Sequence, residues 1–592
     1  MKRDNLIISF LILIVVFAFS AFYPITKNGF VNWDDGIYVT DNSAISSLSW
    51  DKAKDIFSSF YFGNYHPLTM LSYSLEFALF GADPFYYHLT NIILHILNSL
   101  LVFWFFYLLF KKAGLSLIVA LLFGVHPLGT EAVAWVSARK ELLYAFFFLG
   151  SLVAYLYYLR EKKLSAPYFI SLLLFIFSLL SKGMAITLPI ALLIIDYLKG
   201  RKYGRAGLIE KIPFFALSFI FGIIAIMGQQ SIGAIRREGV FDLLPKLAVA
   251  SYAATFYLGK IILPVRLSAL YPYAPVESGS VLIYAYTFLI FVVLAMAVVF
   301  SARFTRKIAF GGLFFFFTLF PVLGFVPITS AIVADRYAYI PSIGVYYIIT
   351  LIFIWFYDRA AKQALLRVIF RAALIVILLF LSSLTWQRSL VWKDSLSLWE
   401  DSIRNNPGAP LAYYNLGNTY LDNTKEEMAI TAYRESIRLN PYFADAHNNL
   451  ACALRLAGNY EEALSSCRRS IAIAPGNSRV YYNLGQIYED IGDKEEAIKA
   501  YSKAADVDPA NLAARNNLAA IYADRADIDR AIGIWREIIT VDPRFSTAHF
   551  NLAVFYYRNG EYDLAVEHCD KVTALGNKVD DKFLELLKPH RK

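Results

Sequence analysis

Charge is scarce in this chain. Asp, Glu, Lys and Arg make up 17% of its 592 residues, against 58% hydrophobic and 16% aromatic. Soluble domains carry roughly a quarter of their residues charged, so a wholly water-exposed globular fold is excluded. Cysteine is scarcer still. Only Cys452, Cys467 and Cys569 are present, and their spacing matches no metal-ligand pattern. The charge that exists is unevenly spread. Residues 1 to about 386 run from one apolar stretch to the next, and charge density climbs from Gln387 onward. One domain is built for lipid and one for water.

Each apolar stretch is near the ~20 residues that cross a hydrocarbon core. They fall near 6–22, 89–110, 114–130, 141–159, 167–181, 183–198, 211–229, 280–300, 308–329, 337–357 and 367–386, which makes about 11 spans. The first follows Met1-Lys2-Arg3 and reads as a retained signal-anchor, although Ala18-Phe19-Ser20 also resembles a cleavage site. The stretch 246–264 carries Tyr252, Tyr257 and Lys260 and reads as re-entrant or interfacial. The net charge of +9 gathers in Lys111-Lys112, Arg160 to Lys163, Lys199 to Arg205, Arg303 to Lys307 and Arg359 to Arg367. Short basic loops mark the cytoplasmic side, so this charge reports orientation and not a nucleic-acid partner. The N-terminus is then cytoplasmic, and the loop 25–88 and the charged C-terminal domain lie outside. That domain has many asparagines but no Asn-x-Ser/Thr sequon, which points to a bacterial inner membrane and a periplasmic location.

The outer domain is repetitive. Pro407, Pro441, Pro475, Pro509 and Pro543 recur every 34 residues, as do Ala429, Ala463, Ala497, Ala531 and Ala565. Thirty-four is the tetratricopeptide period, one helix–turn–helix per unit. The alanine lets two helices approach, and the proline ends the second helix because it cannot continue the hydrogen-bond ladder. Five repeats fill 410–579, a half-repeat helix in 387–409 bridges to them, and 580–592 is a tail. Cys467 and Cys569 share a column with Tyr433, Tyr501 and Trp535 and read as core fillers. Asn415, Asn449, Asn483, Asn517 and Asn551 form another column on the first helix of each unit. An amide both donates and accepts, so such a row can grip an extended peptide backbone. It resembles the asparagine ladder of the nucleocytoplasmic O-linked N-acetylglucosamine transferase. The plainer alternative is that each amide bonds the adjacent helix and stiffens the solenoid.

Two adjacent carboxylates open the first outside loop, in Asn32-Trp33-Asp34-Asp35-Gly36. One of them is a general base if burial lifts its pKa, and the other orients a hydroxyl or a metal. A solvated turn is the rival, since Asp-Asp-Gly is also turn chemistry. Other outside segments are Tyr65-His66-Pro67-Leu68-Thr69, Phe85-Tyr86-Tyr87-His88, His126-Pro127-Leu128-Gly129-Thr130-Glu131, Arg139-Lys140-Glu141, Leu180-Ser181-Lys182-Gly183 and Asp335-Arg336-Tyr337-Ala338-Tyr339. With the repeats, these segments resemble the transmembrane and tetratricopeptide-repeat proteins. That family is similar to protein O-mannosyltransferases, within the polyprenyl-phosphate-sugar glycosyltransferases of the C-type fold.

The resemblance implies an all-α fold, with a polytopic membrane domain over 1–386 followed by the solenoid. It implies a lipid-linked sugar donor, commonly mannosyl, a protein hydroxyl acceptor, and Asp34 or Asp35 as base. The chain departs from the family at Gly183, where an acidic residue often follows the lysine. A departing lipid phosphate needs cations, and Arg139, Lys140, Lys182 and Arg336 lie at outer ends of spans. Snorkelling to the interface is the rival for each, and an ion pair with Asp335 is a further rival for Arg336. His66, His126, Glu131 and Asp335 are accessory candidates. Capping or helix–helix bonding is the rival for His126 and Glu131, and a structural role for His66 and His88. A divalent cation is compatible, but no ligand set is apparent. A single displacement inverts the anomeric centre. Two other classes stay open: a membrane scaffold for envelope assembly, and a lipid-linked glycan transferase or polymerase.

Overall fold

The computed structural model describes residues 2–161, 164–201, 204–233, 243–272, 280–325, 331–360 and 363–591. Lys162, Lys163, Lys202 and Lys362 of the basic loops fall outside these residues, as do positions 326–329 of the stretch 308–329. The chain forms two compact units, Met1–Ala409 and Pro410–Lys592. Both are helical. Among the described residues the sheet is one short antiparallel pair, Tyr271–Pro272 with Ala331–Val333.

In the first unit, each apolar stretch coincides with a helix or a broken helix. Among the described residues six helices are long and apolar enough to cross a membrane: Asp4–Lys27, Pro84–Phe110, Val136–Tyr158, Gly207–Ser231, Leu282–Ser301 and Ala364–Val391. A seventh span results if Ala113–Val125 and Pro127–Ala134, bent by 53°, count as one. Eleven full-length spans are therefore not seen. Ala166–Ser181, Leu188–Lys199 and Arg306–Leu319 have only 16, 12 and 14 residues. At a rise of about 1.5 Å per residue they reach roughly 18–24 Å, short of a ~30 Å core. The stretch 246–264 belongs to a continuous helix, Leu243–Ile262, which lacks the break a re-entrant loop needs and leaves the interfacial alternative.

The breaks in the bundle leave backbone that must be satisfied. Pro127 cannot donate to the helical ladder, so the chain from Val125 to Arg139 steps through short turns. Backbone carbonyls freed inside apolar surroundings must find donors. Helix Pro84–Phe110 supplies them from one buried stripe. Asn91 Nδ2 donates to Val133 O and Trp135 O at 3.1 and 3.3 Å, His95 Nε2 meets Gly124 O at 3.1 Å, and Asn98 Nδ2 donates to Leu142 O at 3.0 Å. Thr385 Oγ1 donates to Val125 O at 2.6 Å. These bonds fix the turns that carry Glu131, Trp135, Ser137 and Lys140.

In the second unit, five helix pairs run from Pro410–Asp422 and Glu426–Leu439 to Ser546–Arg558 and Tyr562–Ala574. The repeated alanines Ala429, Ala463, Ala497, Ala531 and Ala565 are all fully buried. In two repeats the facing columns match in volume. A Cβ on Gly417 or Gly485 would sit 2.5 Å from the ring of Tyr433 or Tyr501, so glycine opposes tyrosine. All three cysteines are free, with Cys467 and Cys569 buried in the core as expected. The expected tail is instead a helix, Asp581–Leu587. Phe583 packs on Phe550 and Tyr557, and Leu587 is buried, so the helix covers apolar surface of the preceding repeat.

Candidate active site

Asp34 and Asp35, in the loop after the first apolar helix, have different surroundings. Asp35 is fully buried, and both its oxygens are taken. Oδ2 accepts from Val31 N–H at 3.0 Å, and Oδ1 accepts from the backbone N–H and hydroxyl of Ser137. Burial pushes its carboxyl up to about 6, against the pull of the Ser137 and Val31 hydrogen bonds. Asp34 lies half-buried in the turn just before, where its backbone carbonyl accepts from Tyr38 N–H at 3.0 Å. Among the described residues nothing hydrogen-bonds its carboxylate. Burial raises its pKa, and the charges of Lys140 and Arg336 pull it back.

Three cations converge here through shared aromatic rings. Lys140 Nζ lies 4.7 Å from the Tyr38 ring centre and 6.0 Å from that of Trp135. Arg336 lies over the same Trp135 at 5.1 Å and over Tyr337 at 4.7 Å. Lys182 Nζ reaches the Tyr337 ring centre at 5.0 Å. Cation–π contacts hold such charges where water is sparse. Two of the cations also have carboxylate partners. Lys182 pairs with Glu141, and Arg336 pairs with Glu131, whose other oxygen accepts from the Arg336 backbone N–H at 2.8 Å. Lys140 has no ion pair among the described residues. The site therefore holds one carboxylate and one ammonium without hydrogen-bond partners, flanked by two paired cations. It can accept a proton and hold an anion.

Four of the sequence candidates thus come together: Asp34, Lys140, Lys182 and Arg336. The others lie elsewhere or are engaged. Arg139 is fully buried, and its guanidinium is spent on Glu76, on Asn91 Oδ1 at 3.0 Å and on Tyr87 O at 2.9 Å. The rival Asp335–Arg336 ion pair does not form among the described residues. The turn Asp335–Ala338 sends the two side chains apart, and Asp335 accepts from the Tyr271 hydroxyl at 2.9 Å. His126 caps its own turn by accepting from Leu128 N–H at 3.2 Å, and its Nε2 meets Ile261 O at 3.0 Å. His88 meets Gly29 O at 3.3 Å. His66 packs edge-on to Tyr38 at 5.3 Å, next to Lys140, with its Nε2 buried and unpartnered. Among the described residues no group of three or more His, Cys, Asp or Glu could hold a metal ion.

Sequence reasoning missed Glu141, Ser137 and the tryptophans. Trp33 stacks between Trp135 and Trp399, at 5.0 and 5.1 Å. Tryptophans clustering in outside segments were a usable signal. Glu141 was not, because its partner Lys182 is remote in sequence.

The asparagine column of the repeats is largely committed within the solenoid. Asn449 Nδ2 donates to Tyr414 Oη at 3.1 Å and Asn418 Oδ1 at 2.9 Å. Asn483 and Asn551 donate to Asn448 and Asn516, at 2.9 and 3.0 Å, each reaching back 35 residues to the preceding first helix. Asn517 donates to Tyr501 Oη at 3.2 Å. Asn415 is buried. The alternative in which the amides brace adjacent units is realised in four of them. Asn483, Asn517 and Asn551 stay half-buried, with carbonyl oxygens that accept no bond among the described residues.

Three family models described as tetratricopeptide repeat match residues 411–443, 442–510 and 521–578. A protein O-mannosyl-transferase of Caenorhabditis elegans is 25% identical over 66% of this chain and 57% of its own length. Protein O-mannosyl-transferases TMTC1 and TMTC3 of Homo sapiens are 25% and 26% identical, over 62% and 67% of this chain and 47% of each relative. The chain spans about half the length of these relatives. Among solved structures, MamA is 23% identical over 25% of this chain and 85% of its own, with a TM-score of 0.23. The chain is a membrane protein with tetratricopeptide repeats, and it is similar to protein O-mannosyl-transferases.

Proposed function

We propose that this protein is a membrane glycosyltransferase. It moves a hexose such as mannose from a polyprenyl-phosphate donor to a serine or threonine hydroxyl of a protein, on the outer face of a bacterial inner membrane. The observation that carries this reading is the Asp34 carboxylate, without a hydrogen bond among the described residues, beside Lys140, Lys182 and Arg336. Asp34, not the fully bonded Asp35, is the base. The acceptor oxygen attacks the anomeric carbon while Asp34 takes its proton. The bond from that carbon to the phosphate oxygen breaks, its electron pair leaves with the polyprenyl phosphate, and the centre inverts. The three cations stabilise the negative charge that develops on the leaving group. The other candidate, Arg139, supports the fold behind them.

The repeats bring the acceptor protein close, which turns a bimolecular encounter into a local one. The open carbonyl edges of Asn483, Asn517 and Asn551 are the part of the column left to meet a peptide. The reading is tested with full-length protein in lipid nanodiscs, a radiolabelled polyprenyl-phosphate mannose and a Ser/Thr-rich peptide. Label should pass to the peptide with wild type and not with Asp34→Asn. Equal transfer by the variant would remove Asp34 as base. No transfer to peptide, with transfer to a glycan acceptor, would favour the glycan transferase. No transfer to either would favour the scaffold.

A further inference from the structure

The segment after the last apolar helix is bonded to both halves of the site. On one side it grips the loop that leads into Asp34. Asn28 Nδ2 donates to Ser389 O at 3.1 Å, Gly29 N–H to Lys393 O at 2.9 Å, and Asn32 N–H to Ser395 Oγ at 2.8 Å. Trp399 Nε1–H donates to Asn32 Oδ1 at 2.6 Å, and its ring covers Trp33, the neighbour of Asp34. On the other side, Asn405 and Asn406 donate their amides to Leu267 O and Leu270 O, at 3.1 and 2.9 Å. The next residue, Tyr271, donates its hydroxyl to Asp335 and pairs with Val333 in the short sheet. Arg336 follows directly. Arg388 pairs with Asp401 and ties the helix Ser395–Asn405 back to the apolar helix before it.

A helix that only started a solenoid would need to bury its apolar face. This one also directs an indole, a hydroxyl and two amides to the segments that carry Asp34 and Arg336. Those residues lie about 300 positions apart in sequence, and the loop 28–33 has no regular secondary structure to fix it. We propose that the helix Ser395–Asn405 is a positioning element that sets Asp34 and Arg336 at their working separation. Ser395 and Trp399 are its contacts on the Asp34 side, and Asn405 with the C-cap Asn406 those on the Arg336 side. The inference rests on the reading in which Asp34 is the base. Misplacement of reacting groups by about 1 Å is enough to cost up to about 100-fold in rate, without a loss of substrate binding.

The experiment uses the full chain in nanodiscs, with two readouts: hydrogen exchange and steady-state transfer. Trp399→Phe keeps a ring against Trp33 and deletes the bond to Asn32. Ser395→Ala removes only the acceptor for Asn32 N–H and serves if the first variant fails to fold. Exchange should rise over residues 28–38, and kcat should fall about 10- to 100-fold with KM for the lipid donor little changed. The pair Asn405→Ala with Asn406→Ala should raise exchange over 267–272 and 331–338 with the same kinetic pattern. Faster exchange with unchanged kcat would overturn the proposal, because the loop would be loosened without effect. A lower kcat with unchanged exchange would overturn it too. Full activity in Asp34→Asn would sink the base assignment instead, while the exchange data would still report whether the helix holds the loops.

Discussion

The two units differ in which polar groups they leave open. In the solenoid, amides and hydroxyls are spent on neighbours. Asn449 uses both of its N–H bonds inside the stack, and Trp535 Nε1–H donates to Asn516 at 3.0 Å. In the membrane unit, among the described residues, nothing hydrogen-bonds the Asp34 carboxylate or the Lys140 ammonium, while Lys182 and Arg336 beside them are ion-paired. An unmade bond at a half-buried carboxylate is expensive, so it persists where a substrate completes it. The difference separates residues that hold a structure from residues that are available to act.

The sharpest break of this comparison is between adjacent positions. Asp34→Asn should leave folding intact and lower transfer by about 10² to 10⁴-fold, the range a general base supplies. Asp35→Asn should act on the fold. Its new amide would face the N–H of Val31 or Ser137, donor against donor, at a cost of about 1–3 kcal/mol. The pH dependence separates them further. Asp35 titrates at about 6 when folded and near 3.8 when not, so its contribution to stability is full at low pH and lost as pH rises through about 6. Thermal unfolding followed across that window should lose its slope in Asp35→Asn. Asp34 must be ionised to act, so wild-type transfer should fall on acidification, at a pH above the ordinary carboxylate range. If the two variants exchanged phenotypes, the base assignment would be reversed.

Arg139 tests the same contrast within the cations. Its guanidinium is closed off by Glu76, Asn91 and Tyr87. Arg139→Met leaves Glu76 buried and unpaired, which should cost about 3–5 kcal/mol of stability. Lys140→Met should leave the melting temperature almost unchanged and weaken turnover. Calorimetry and transfer assays on the two variants check this. A stable, slow Arg139→Met enzyme would return Arg139 to the site.

Local pattern made much of this legible. The 34-residue period is repeated five times, so each proline and alanine confirms its neighbours, and the helix pairs follow. The loop after the first apolar helix announced itself by two adjacent carboxylates. Pairings across the chain were not legible. Arg336 chooses Glu131, 205 residues away, over adjacent Asp335, because a short turn points the two side chains apart. Hydropathy also counted apolar runs without seeing that several are short helices joined by turns, whose carbonyls are capped from Asn91 and Asn98. The backward reach of the asparagine column is invisible to a periodicity that only says the same residue recurs.

Packing in the solenoid supplies a smaller test. Gly485 faces the Tyr501 ring, and an added methyl would need about 1 Å that the ring cannot yield inside the stack. Gly485→Ala should cost about 1–3 kcal/mol by overpacking. Gly485→Ala combined with Tyr501→Cys should recover much of it, since the repeat with Ala451 and Cys467 already uses that pairing. Chemical denaturation of the three proteins measures the coupling.

The smallest expected effect falls on the asparagine column and bears on its meaning. Asn551→Ala removes one bond to Asn516 at a half-buried edge, so stability should drop by about 1 kcal/mol. Asn551→Asp keeps the size of the side chain but turns the Nδ2 donor into a second acceptor facing Asn516 Oδ1. A pure brace predicts that both changes lower stability and leave peptide affinity alone. A column whose open carbonyl also meets a backbone N–H predicts that Asn551→Ala weakens peptide binding beyond its effect on stability, and that Asn551→Asp spares it. Fluorescence anisotropy of a labelled acceptor peptide, paired with denaturation of the same samples, separates the two. The carbonyl edge is what a peptide can use, because the donor edge already serves the neighbouring helix.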